Sequence, residues 1–473
     1  MGRPRSRLLL ALGAALACRG APPPPADPDP DARTVRVRDG GSAITAPRRP
    51  AEGCPAREPR ARWGPGTTHG STVAGSETWT RAGSPHRVPY GAHVIAGASL
   101  RVEPCAVVLV GAERALVVQS DARMVAAGTA AEPIVFDALS ESPAHGDWVG
   151  LEVRARALPD TRLAHATIVH AGGDPGAPGD PPAAIRTRAS AGLDVEHVTI
   201  RSSGGFGVAA LDDGGFSPRA RDLTIEDSRG EGAVYLADVN VAKTLPEGRF
   251  RGNARDDVVL AATQRVLRIE STLRSLGNSA RYRLRRAARW IVQGVSSPRL
   301  TLAPGATLAM GEESSLEVGL ELPGALVAEG DTSAGPVRVV AADGAAGASS
   351  WGAVVLGARA DVARSRLRDM EISGAGGAVT GAFESCPAPS PADVESRGML
   401  VLAGASAAMA VEGVRFVAGP RNGFAILRAD APPLSPTDFT RASQRNDLTR
   451  AGVRCASSQP SRGGDCPPTP GCP

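Results

Sequence analysis

The chain has 473 residues, 42% of them hydrophobic, which supports a buried core and excludes a chain that is disordered throughout. Its formal charge is only +4, so charge alone gives no signal for nucleic acid or for an acidic partner. Lys243 is its one lysine, and the arginine bias, with 56 glycines and 40 prolines, is what a GC-rich genome produces.

Arg3, Arg5 and Arg7 precede the apolar run "LLLALGAALA" (Leu8 to Ala17), and Cys18 follows it. About ten apolar residues are too few to span a bilayer and read instead as the core of an export signal over 1–18. The pattern resembles a bacterial lipoprotein signal. That family prefers leucine three residues before the cysteine; here Ala15 stands there and Leu16 follows. The resemblance implies cleavage before Cys18 and a lipid anchor on it, the alternative being an ordinary signal peptide cleaved nearby. Either reading takes the chain out of the cytoplasm. Residues 19–60 ("APPPPADPDPDAR" and onward) cannot bury enough apolar surface to fold and read as an extended tether, followed by a cap region over 61–87. The later run "GMLVLAGASAAMAV" (Gly398 to Val411) is too short to cross a membrane.

Export places the remaining six cysteines, Cys54, Cys105, Cys386, Cys455, Cys466 and Cys472, in an oxidising compartment. None has the short paired spacing of a zinc site, so disulfides are expected. Cys54 and Cys105 stand apart from the C-terminal cluster and are expected to pair with each other. The partners of the other four stay open.

The middle of the chain repeats itself. "SLRVEPCAVVLV" returns as "RLTLAPGATLAM", "RMVAAGTAAEPIVF" as "ALVAEGDTSAGPVRV", "HGDWVGLEV" as "ASSWGAVVLG" and "RLAHATIVHAGG" as "RLRDMEISGAGG". The units run over about 88–173 and 286–377. Trp148 and Trp351 hold the same place in each, which predicts core plugs rather than ligand contacts. Inside the first half a finer period of 25 aligns Ile200, Ile225 and Phe250, and likewise Val208, Ala233 and Val258. Alternating segments such as "LDVEHVTIR" and "ARDLTIED", broken by "SSGGFG" and "SRGEG", predict strands. A stacking period predicts that each strand lies on its equivalent in the next coil, so the sheets are parallel. No helix-length amphipathic segment separates them, which excludes a βαβ fold. The expected architecture is an all-β solenoid over about 88–428, with a cysteine-containing tail over 429–473.

"LTLAPGATLAM", "ALVAEGDTSAGPV", tryptophan followed by glycine and aliphatics, and "ATIVHAGG" together resemble the right-handed parallel β-helix repeat proteins of bacterial envelopes. Many of these are predicted lipoproteins of the myxobacterial type. The resemblance covers about residues 75–430 and implies the fold more than any function. The family's turn is intact at Pro304-Gly305-Ala306. Pro104-Cys105-Ala106 replaces it in the first unit, which implies recruitment of Cys105 into a disulfide.

Parallel β-helices include polysaccharide lyases and hydrolases, so clustered carboxylates matter. The chain offers Asp212-Asp213 in "LDDGG", but the last histidine, His197, precedes it, and Arg268-Ile269 is followed by Glu270 where such hydrolases carry lysine. By the period, Asp213 and Asp238 stack about 4.8 Å apart, either holding a cation or splaying into solvated turns; the next equivalent is Thr263. His165 and His170, five apart, would face opposite ways in a strand. "RYRLRRAARW" (Arg281 to Trp290) is the densest basic run, with only Tyr282 and Trp290 to stack on bases, and reads as a solvated face. The same period predicts an outward ladder of alternating charge, Arg201, Glu226 and Arg251. The expectation is therefore an envelope-anchored structural or binding β-helix, outer-membrane and facing either the periplasm or the surface. Its membrane contact is the lipid on Cys18; no cofactor and no nucleic acid are expected. A polysaccharide or an envelope protein is the expected partner, and a carbohydrate-active enzyme on the same scaffold is the alternative.

Overall fold

A computed structural model describes residues 53–429, apart from 159, 190–191, 262–263, 277–279, 343–349, 378–397 and 420–423, together with 451–454. The export signal with Cys18, the cysteines Cys386, Cys455, Cys466 and Cys472, and Thr263 lie outside the described residues.

Among those residues there are strands and short 3-10 turns but no α-helix. Every strand-to-strand ladder is parallel, and successive strands of the chain go to successive faces of a coil. One sheet of thirteen strands runs from Thr72–Val73 to Arg415–Val417 without interruption. The fold is a right-handed parallel β-helix. Period-two alternation explains the packing: in Ser99–Val102, Arg123–Ala127 and Met370–Ser373 the inward residues Leu100, Val102, Met124, Ala126, Met370 and Ile372 are buried and those between them are not. Stacked coil on coil, these side chains form one continuous core from Val73 to Ile426.

The expected register holds on the first face. Ile200 pairs with Ile225 and Ile225 with Phe250, all buried in the core. It fails on the second face, where Val208 pairs with Val234, and Val234 with Val258, in steps of 26 and 24. The cause is local: the corner between the faces is one residue longer in the middle coil, nine positions from Ile225 to Val234 against eight from Ile200 to Val208 and from Phe250 to Val258. Ala233 is buried but does not pair with Val208.

Both tryptophans of the duplication are fully buried. Trp148 Nε1 donates to the Val169 carbonyl and Trp351 Nε1 to the Ser373 carbonyl, each at 2.8 Å. The two units do not, however, occupy the same faces. Val107–Val110 lies in the first sheet, whereas its equivalent Thr307–Met310 lies in the uninterrupted second sheet. The chain between the units supplies a non-integral number of coils, so the second copy enters one face on.

Three expected boundaries move. Residues 53–63, assigned to the tether and cap, lie folded against the helix: Cys54 is bonded to Cys105, with Cα atoms 5.0 Å apart. Arg57 donates to the carbonyls of Ala130 and Ala131, and Arg60 pairs with Asp137 at 2.5 Å. Coils begin before residue 88, since Thr67–Thr68 and Thr72–Val73 already pair with the next turn. At the other end Ala451–Arg454 pairs with Phe424–Ala429, so the ladder continues past 428.

The first coil carries a pH dependence. His86 Nε2 lies 2.8 Å from the Thr80 carbonyl, so it is the protonated nitrogen, and Nδ1 accepts from His69 Nε2 at 2.8 Å. Trp79 stacks on His86. Burial pushes both imidazoles below the ordinary 6.5, with Glu77 and Glu103 opposing it. Neutral rings are thus favoured in the folded coil: the stabilisation is complete above 6.5 and is lost as pH falls through the lowered folded values. Hydrogen exchange of residues 67–88 is expected to accelerate selectively between about pH 8 and about pH 5, after correction for intrinsic rates. Protection unchanged relative to later coils would refute this.

Candidate binding face

The strand Gly192–Arg201 is ten residues long and spans two faces of the coil. Its first half pairs with Arg162–Ala164, its second with Ala166–Val169, and its other edge with Arg221–Glu226. The bend between faces is made by a single left-handed residue per coil: His165 (φ 45°), His197 (φ 50°) and Asp222 (φ 53°). A second column, His170 (φ 57°), Ser202 (φ 51°), Asp227 (φ 54°) and Gly252 (φ 65°), closes the far end of the same strands. Short polar side chains tolerate this backbone region better than bulky apolar ones. The columns are tied by the main chain: His165 donates to the Glu196 carbonyl at 2.8 Å, and Ser202 to that of Glu226 at 3.2 Å.

Between the columns lie two outward rows. Thr167, Thr199 and Thr224 stack in one. The other contains the expected ladder: Arg201 Nε donates to Glu226 at 3.0 Å and Arg251 Nε at 2.7 Å. The two arginines hold the Glu226 carboxyl below its ordinary value, chiefly through the Arg251 hydrogen bond.

Beside the first column a cleft of about 430 Å³ is lined by Arg162, Asp194, Glu196, Arg219 and Arg221, with Pro218 and Ala220. Arg162 and Arg221 both bind Glu196. Asp194 takes Arg162 at 3.7 Å and Arg219 at 3.5 Å. Charge is layered here. The side chains of Asp194 and Glu196 are 4% and 14% exposed, whereas those of Arg219 and Arg221 are 66% and 63% exposed. Burial opposes ionisation of Glu196, but Arg221 and Arg162 outweigh it and hold its carboxyl below the ordinary value.

The second column gathers further histidine–carboxylate pairs. His170 Nδ1 lies 2.7 Å from Asp137, and His145 Nε2 lies 2.9 Å from Asp227, which also accepts from Ser202 Oγ at 2.8 Å. His165 and His170 do not meet, as expected, yet neither lies within a strand face. Each is a corner residue whose partner sits on a neighbouring coil. The partners escaped sequence reasoning because the step there is 32, from Thr167 to Thr199, rather than 25.

The expected stack of Asp213 on Asp238 is not formed by this register. Ala210 pairs with Leu236, so continuing the ladder sets Asp238 against Asp212. Asp238 instead caps a 3-10 turn, accepting from Asn240 N at 2.9 Å and Asn240 Nδ2 at 2.7 Å. Among the described residues no group of three or more His, Cys, Asp or Glu side chains is placed to hold a metal ion. The basic run is spent on acids: Arg281 and Arg283 on Asp257, Arg285 on Glu231, Arg286 on Glu312 and Glu313, and Arg289 on Glu317. Its aromatics, Tyr282 and Trp290, are buried in the core.

Residues 77–171 match a family model described as a pectate-lyase like beta helix domain. The match ends before Asp194, so most of the cleft lies beyond it. No curated protein and no solved structure matches the chain.

Proposed function

We propose that the chain is a binding module of the cell envelope, anchored by lipid on Cys18, whose arginine-tipped face takes up acidic polysaccharide. The layered charge carries this reading: carboxylates lie at sheet level and guanidinium groups project above them. An acidic chain lying across these coils meets the exposed arginines first. Arg219 and Arg221 stand two positions apart on one coil and give it a pair of donors. A protein partner is less favoured, because interface centres are rich in Trp and Tyr and this face has neither. In gels containing a polyuronate the purified protein is expected to be retarded, and in gels containing a neutral glucan to run freely. Equal mobility in both would exclude the reading.

The anchor is tested separately. Labelled palmitate is expected to enter the wild type and not Cys18→Ser; equal labelling of both would end the lipoprotein assignment.

A carbohydrate-active enzyme is the second reading, and the pectate-lyase like match favours it. Asp194 and Glu196, two apart on one strand, are about 7 Å apart, within the range used by paired carboxylates. A general acid must hold its proton at working pH, however, and Glu196 is pushed the opposite way. New reducing ends or unsaturated uronate released from polyuronate would favour this second reading over simple binding.

A further inference from the structure

The first corner column brings together two imidazoles. The rings of His165 and His197 stand on successive coils with centroids 4.5 Å apart and planes 29° from parallel. We propose that these stacked histidines form a surface site for a divalent transition-metal ion of the nickel, copper and zinc class. Imidazole nitrogen is a donor suited to these ions, and calcium or magnesium would find too few oxygens.

Three observations carry the proposal. His197 Nδ1 is hydrogen-bonded to the Asp222 carboxylate, which can only accept. Nδ1 therefore holds the proton and Nε2 keeps its lone pair, the orientation that carboxylates give to metal-binding histidines. The His165 ring makes no side-chain hydrogen bond among the described residues and stays available as second donor. Finally, both residues are fixed in the left-handed corner, with the His165 N–H on the Glu196 carbonyl at 2.8 Å, so little backbone ordering remains to be done.

The distances are compatible. One ion at about 2.1 Å from each nitrogen needs them within about 4.2 Å of each other. The lone pairs lie in the ring planes, so rings 29° from parallel with centroids 4.5 Å apart must turn out of their stack toward a common point to share one ion, and the His197 side chain, 44% exposed, has room to do so. The other histidines among the described residues are placed differently. His69 and His86 bond to each other, His93 meets Gln119, His170 is on Asp137 and His145 is on Asp227. With two protein donors, water completes the coordination shell, so the ion exchanges freely. The site stands beside Glu196 and the arginine-tipped cleft but does not depend on what that cleft binds.

The full chain titrated with Cu²⁺ is expected to bind an ion whose electron paramagnetic resonance spectrum shows two nitrogen ligands. His165→Asn and His197→Asn, chosen because asparagine tolerates the left-handed backbone, each abolish the two-nitrogen signature. Asp222→Asn keeps both nitrogens but weakens Ni²⁺ binding, read by calorimetry, by about 10–100-fold. His145→Asn leaves both readouts unchanged. A wild-type spectrum with one nitrogen or none overturns the site, as does a two-nitrogen spectrum that survives both His→Asn changes.

Discussion

Truncating Trp148 or Trp351 to alanine is expected to destabilise the helix by about 3–5 kcal/mol in each case. Both side chains are fully buried, and each holds a main-chain carbonyl of the next coil, Val169 or Ser373, at 2.8 Å. Alanine removes the whole ring from a core whose parallel ladders resist collapse, and it strips the carbonyl of its indole donor. Coils of a solenoid contact mainly their neighbours, so the loss is local to each unit. Urea unfolding is therefore expected to split, with Trp148→Ala melting the first unit early and Trp351→Ala the second. A loss below about 1 kcal/mol in both variants would mean that the tryptophans are not coil plugs.

Cys54→Ser is expected to cost about 4 kcal/mol. The bond to Cys105 closes a loop with a sequence separation of 51, and the chain-entropy model assigns about that amount to a loop of this length. Position 105 adds a second term. Cys105 sits at φ 70°, where the second unit has Gly305 at φ 74°, and the turn bonds match: the Cys105 N–H to Pro133 O at 3.0 Å, the Gly305 N–H to Gly335 O at 3.1 Å. A left-handed non-glycine residue costs roughly 1–2 kcal/mol. Glycine would relieve this but would give back about 0.4–1 kcal/mol of unfolded-chain entropy. The double variant Cys54→Ser/Cys105→Gly is therefore expected to be more stable than Cys54→Ser alone, by up to about 1 kcal/mol. Peptide mapping without reductant tests the bond itself: free thiols at both positions would remove the premise.

The sequence and the structure agree where a single period governs. Ile200, Ile225 and Phe250 stack at a constant step, and with the core side fixed Arg201, Glu226 and Arg251 must face outward. The duplicated tryptophan was legible as core because one residue filled the same turn twice. Other features depend on terms that a period cannot carry. One extra residue in the corner between Ile225 and Val234 shifts the neighbouring face and undoes the Asp213–Asp238 stack. The second unit's displacement by one face depends on how many strands the intervening chain makes, which the unit sequences do not encode. The histidine pairs were hidden because His165 and His170 are corner residues, and a corner residue meets its neighbours along the coil axis, at steps of 32 and 25 here. The layering of charge in the cleft was also out of reach, since it needs the depths of Asp194 and Glu196 and not only their positions.

The most direct test of the binding face compares polyuronate affinity in the wild type, in Arg219→Ala/Arg221→Ala, and in Arg338→Ala/Arg366→Ala, whose arginines are exposed on the second unit. Each exposed guanidinium contributes up to about 1 kcal/mol, so removing the cleft pair is expected to weaken binding by up to about thirtyfold, while the distant pair leaves it unchanged. Wild-type affinity is expected to fall as salt screens the contact. Equal affinity in all three proteins, insensitive to salt, would contradict an arginine-tipped binding face.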